Sequence, residues 1–129
     1  MALLHPTLDG YATDSGRFAG FLSIAFPSAS VSGASGSSDV MDLGDRGTAR
    51  LDLYVTALGA GTTFTPTITT CATPGGSFRS VAAFTGVTSA SAYSAERKSF
   101  TGLDRYVQIA WTLSGGTTTA TYRISGDAV

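Results

Sequence analysis

The chain has 129 residues, a formal net charge of −1 and a charged fraction of only 13%. That is the length of one ordinary domain with a real hydrophobic core, and its charge balance argues against the phosphate backbone of a nucleic acid as partner. Cys71 is the only cysteine, which excludes an internal disulfide and a multi-cysteine metal site and fits folding in a reducing cytosol. No run approaches the roughly 20 apolar residues of a membrane helix, so no membrane is expected. The start MALLHPTLDG has neither a basic region nor a long apolar one, and no secretory signal is read there. Glycine, threonine, serine and alanine dominate while lysine occurs once, a composition that favours strands and turns over helices.

Residues 1–16 carry turn residues without periodicity and are read as an N-terminal arm, able to reach a neighbouring subunit, ahead of a domain spanning 17–129. Residues 17–26 are the first expected strand, with Phe18, Leu22 and Ile24 on one side, Phe21 on the other, and Pro27 near its end. The run SASVSGASGSS (28–38) reads as a polar loop, and 39–43 as a short strand before the turn at Gly44. Residues 48–58 alternate cleanly. Ala49, Leu51, Leu53, Val55 and Ala57 share one face, and Arg50, Asp52, Tyr54 and Thr56 the other, the pattern of a strand with one buried side.

Gly59 and Gly61 make a hairpin turn, after which Ile68 faces inward and Thr65, Thr67 and Thr69 form an outward row. Pro66 implies an edge position or a strand start. Pro74, Gly75 and Gly76 signal a turn before a returning strand at 77–84. Residues 85–95 read as a loop or weak strand. The strongest core strand is 105–113, where Val107, Ile109, Trp111 and Leu113 alternate with polar or smaller residues. Gly115 and Gly116 then close a hairpin onto 117–125, with Ala120, Tyr122 and Ile124 inward. Seven to eight short strands with regular turns predict a single antiparallel β-sandwich, jelly-roll-like or immunoglobulin-like.

Residues with catalytic potential are sparse. His5, the only histidine, lies in the arm, where no rigid scaffold would hold it against a nucleophile. Asp39, Asp42 and Asp45 recur every third position, but the EF-hand spacing is absent and a strand would point Asp39 and Asp42 to opposite faces. Gly59 and Gly61 lack the following helix of a phosphate cradle. Cys71 has no basic neighbour in sequence to activate it. Tyr54, Phe78, Arg79, Tyr93 and Tyr106 are candidates for exposed stacking on sugars, weighed against ordinary cross-strand packing. No enzyme, cofactor or metal is expected.

Three stretches carry a likeness to a known group: GTARLDLYVTA (47–57), PGGSFRSVAAF (74–84) and KSFTGLDRYVQIAW (98–111), with Ser125 and Gly126 at the close. Together, over about residues 45–128, they resemble small structural proteins of tailed bacteriophage heads and tails. Those relatives tend to carry an Asp-Gly turn and a tryptophan where this chain has Gly75, Gly76 and Phe78.

The resemblance implies a virion protein made in the host cytoplasm and sited on the capsid surface. In that reading it is a decoration protein that binds the major capsid protein and stabilises the shell, acting as a homo-oligomer with a trimer favoured. The alternatives are a tail or connector component, or a carbohydrate-binding module for host attachment. Because the inward faces are committed to the core, the expected partner contacts are Tyr11 and Arg17 at the arm, Arg50, Asp52 and Tyr54 on one strand, and Thr65, Thr67 and Thr69 on another.

Overall fold

The computed structural model describes residues 3–12, 18–88 and 95–129, with side-chain environments for 3–6, 22–88 and 95–129. The described chain is all strand and turn, in two sheets packed as a sandwich. In chain order the strands are β1 (Leu3–Leu4), β2 (Thr7–Ala12), β3 (Phe18–Ser32), β4 (Ser35–Asp42), β5 (Ala49–Leu58), β6 (Thr63–Cys71), β7 (Arg79–Ala83), β8 (Val87–Thr88), β9 (Ala95–Phe100), β10 (Tyr106–Ser114) and β11 (Thr119–Ala128). One sheet runs β1-β4-β10-β6-β7, with β8 also on β6, and the other β2-β3-β11-β5-β9. Among the described strands only the β1–β4 pairing is parallel, so the first sheet is mixed.

The inward residues expected from alternation form the core. Leu51, Leu53 and Val55 of β5, Val107, Ile109, Trp111 and Leu113 of β10, and Ala120, Tyr122 and Ile124 of β11 are all buried. Phe64 of β6 meets Tyr122 across the two sheets at 4.9 Å between ring centroids. Phe84 meets Phe100 edge-on at 5.3 Å. Such pairs add about 0.5–1.5 kcal/mol each beyond the area they bury. Thr70, fully buried on β6, donates to the Tyr106 carbonyl and accepts from the Asp104 amide, both at 2.8 Å.

Several expectations are corrected. There are eleven described strands rather than seven or eight, partly because residues 3–12 of the expected arm are paired into both sheets as β1 and β2. The expected loop at 28–38 is strand on both sides of a turn at Gly33 and Ala34. Small polar residues gave it no alternation to read, but β11 and β10 supply backbone partners that do not depend on side chains. Pro27 does not end β3. It sits with Ser28 in a bulge opposite Arg123, between the pairs Phe26 with Ile124 and Ala29 with Tyr122, a place where a missing N–H is tolerated.

Pro66 lies inside the sheet rather than at its edge. Its outer neighbour is interrupted there, since β8 pairs with Thr63 and Phe64 and β7 with Thr67 onward, and Pro66 contributes only its carbonyl, to the Phe84 amide at 2.9 Å. Ala57 is exposed rather than inward, because a register shift skips Thr56 opposite Thr121 and Tyr122 and reverses the phase.

The turns at 59–62 and 115–118 are not hairpins. Each carries the chain from one sheet to the other, so β10 and β11 never pair. The two turns dock on each other instead, with Thr117 N–H on the Ala60 carbonyl at 2.9 Å and Gly59 N–H on that of Thr119 at 2.8 Å. The Thr62 hydroxyl bridges the carbonyls of Gly115 and Thr117. Gly116, at φ +46°, lies so close to the Ala60 carbonyl that a side chain would collide with it.

Candidate functional site: two outer faces of the sandwich

Alternation sends Arg50, Asp52 and Tyr54 to the outer face of the five-stranded sheet, and all three are tied to neighbouring strands of the same chain. Asp52 receives two hydrogen bonds from Arg97 of β9, at 2.7 and 3.1 Å. Arg50 reaches Asp127 of β11 at 3.6 Å. The guanidinium of Arg123 stacks 4.3 Å above the Tyr54 ring, a cation–π arrangement. The face is therefore mixed in sign and largely self-paired.

Asp42, on β4 of the other sheet, makes the same kind of fork with Arg105, at 2.9 and 3.0 Å. Hydrogen bonding from Arg105 holds the Asp42 carboxyl below its ordinary value of 3.8, against a smaller opposing effect of burial. Arg97 does the same for Asp52. A carboxyl depressed in the folded state stabilises it above the unfolded value, and that contribution is lost as pH falls through the lower folded value. A double variant, Asp42→Asn with Asp52→Asn, should therefore show a shallower fall in urea midpoint between about pH 5 and pH 2 than the unaltered protein. Equal slopes would show that these pairs do not couple folding to acid.

Thr65, Thr67 and Thr69 lie on the opposite face, outside the six-stranded sheet, so the two expected contact sets do not form one surface. Thr65 and Thr67 are half-buried, and Thr69 is buried with its hydroxyl donating to the Gln108 carbonyl at 2.8 Å. Tyr11 belongs to β2, its backbone opposite Ala19, with its side chain outside the described environments. Arg17 lies outside the described residues, as does Tyr93.

Beside the threonines the same face opens into a groove of about 530 Å³ lined by Leu3, Val40, Cys71, Pro74, Phe78 and Tyr106. Its exposed walls are mainly apolar, with Thr73 and Gln108 also lining it, although Val40, Cys71 and Tyr106 belong to the outward sets of their strands. Cys71 and Tyr106 are buried there, and the Cys71 thiol donates to the Thr73 carbonyl at 3.3 Å in the turn that forms one bank. Leu3, 46% exposed, forms part of the opposite bank. Sequence reasoning missed this groove, because its lining comes from four separate segments, 71–78 with five residues and the others with one or two each. Phe78 and Tyr106, considered singly as stacking aromatics, were the available signal.

The remaining candidates do not converge. His5 is exposed in a shallow depression with Asp42 and Arg105 that holds no serine, threonine or cysteine. Among the described residues no three histidine, cysteine or carboxylate side chains cluster as metal ligands, and no helix is long and apolar enough to cross a membrane. No protein-family model matches the sequence, and no curated protein is found to be similar to it.

Proposed function

We propose that the chain is a structural protein of a tailed-bacteriophage virion, a decoration protein that binds the major capsid protein on the outside of the head and reinforces the shell by contact alone. The observation that carries this reading is the apolar groove outside the six-stranded sheet, on a face that also carries the half-buried Thr65 and Thr67 and the side chain of Gln108. An apolar pocket with a polar surround is the usual seat of a partner's anchoring side chain.

The strand order supports it. With β3-β11-β5-β9 facing β4-β10-β6-β7, the chain follows the eight-stranded jelly roll, a rigid double-sheet scaffold that serves in viral capsid and lectin domains. The resemblance over residues 45–128 points the same way. Copies assembled as trimers would multiply a modest contact over the capsid lattice.

The test is co-sedimentation with shells assembled from the major capsid protein of the phage that carries this chain. Phe78→Lys should weaken binding at least about tenfold, which corresponds to roughly 1.4 kcal/mol. Tyr54→Ala, on the far face, should leave it within about twofold. Loss with the second variant and not the first, or no binding by the unaltered protein, would overturn the proposal. In imaged virions the protein should lie on the head lattice; density confined to the tail would make it a tail component.

A further inference from the structure

Away from the groove, the two sheets share an open side. β2 covers β3 only over Phe18–Ser23, and β1 covers β4 only at Val40 and Met41. Each uncovered stretch carries a bulge. In β3, Pro27 and Ser28 oppose Arg123 alone; in β4, Ser38 and Asp39 oppose Ile109 alone, between the pairs Val40 with Gln108 and Ser37 with Ala110. The second bulge is pinned by Ser38, whose hydroxyl accepts the Ile109 amide at 2.9 Å and donates to the Asp39 carbonyl at 2.8 Å. The Ser38 carbonyl accepts the Gln108 side-chain amide at 2.8 Å. Bulges re-aim side chains and recur beside functional sites.

All four bulge residues line one cleft of about 320 Å³, within the range of small-ligand pockets. Its inner wall includes Phe26, Trp111 and Tyr122. The indole N–H of Trp111 is buried and, among the described residues, has no acceptor. Asp39 is exposed on the rim and, among the described residues, in no ion pair. Among the described residues, no lysine, arginine or histidine lines the cleft, which disfavours an anion.

We propose that this cleft binds an uncharged saccharide unit. Phe26, Trp111 and Tyr122 are at most 6% exposed and form the floor, while the accessible apolar surface of Leu4, Pro27 and Val31 suits the carbon–hydrogen face of a sugar ring. The sugar hydroxyls can donate to the Asp39 carboxylate and exchange hydrogen bonds with Ser28 and Ser37 on the rim. The site is distinct from the capsid-facing groove and does not depend on it.

Trp111 is the only tryptophan, so ¹⁵N-labelled protein has one indole signal to follow. Glucose, galactose, mannose and N-acetylglucosamine would each be titrated against the full chain. At least one should shift that signal saturably, with a Kd of about 1 mM, as suits a single small contact. Asp39→Asn should weaken the binding about tenfold, and Ala29→Trp, which fills the rim, should abolish it while the remaining spectrum stays that of the folded protein. A panel in which none of the four sugars gives a saturable shift, or a shift that survives both variants at unchanged affinity, would overturn the proposal.

Discussion

Trp111→Ala is expected to lower the stability of the protein by about 3–5 kcal/mol, the cost of emptying a large buried aromatic site. The figure is a large share of the roughly 5–15 kcal/mol that holds an ordinary domain together. Trp111 is 6% exposed on β10, between β4 and β6, with Gly36 and Pro66 as its register partners. The ring lies against Gly36 so closely that a Cβ there would collide with it. No neighbour can fill the space without moving a strand, so the cavity should stay largely open.

The indole N–H makes no hydrogen bond among the described residues, so the contribution is packing rather than polar pairing. Trp111→Phe, which removes an unanswered donor together with part of the ring, should accordingly cost less than about half as much. Circular dichroism during urea unfolding measures both variants without relying on tryptophan emission. An alanine variant that loses less than about 1 kcal/mol would show that the strand does not anchor the core.

The second large effect is expected at Gly126, near the C-terminal end of β11. Its register partners are Ile24 on β3 and Leu51 on β5. A Cβ there would collide with the Arg50 carbonyl oxygen and stand 3.0 Å from the Leu51 Cα. Those are backbone atoms of a paired strand and cannot rotate aside as a side-chain tip would. Gly126→Ala should cost about 3 kcal/mol or more, at or above the usual upper end for overpacking.

Gly44→Ala serves as the contrast. Gly44 sits at φ +64° with nothing within 4 Å of a would-be Cβ, so alanine meets only the left-handed backbone penalty of about 1–2 kcal/mol. If thermal unfolding ranks the two in the reverse order, close backbone approach is not what Gly126 provides.

Residues 98–111 and the pair Ser125 and Gly126 were among the stretches that carried the resemblance, and the structure gives each a physical role: the core strand β10 with its lead-in, and a close approach of β11 to its paired strand β5. Arg50, Asp52 and Tyr54 were legible as outward because their strand alternates. Their partners Arg97, Asp127 and Arg123 were not, since which strands flank β5 is a matter of sheet order. The apolar groove was illegible for a related reason. In sequence Tyr106 alternates with the core residues of its strand, Cys71 is a small residue at a strand end and Val40 belongs to a short strand with no assigned face, and only β4, β10 and β6 lying side by side makes them one wall.

By itself the sequence determined the all-β class, the inward faces of β10, β11 and β5 up to Val55, and the turns at Gly44, Gly59 to Gly61, Gly75 and Gly115. These are local matters: a period of two sorts side chains to two faces, and a positive φ selects glycine. The tertiary structure alone decided which sheet each strand joins, that the turns at 59–62 and 115–118 cross between sheets, and that residues 28–32 and 35–38 are strand. A backbone ladder is completed by distant partners, and turn residues signal a reversal without saying whether the chain returns beside itself or to the facing sheet. The groove and the cleft arise at that level, where strands far apart in the chain become neighbours.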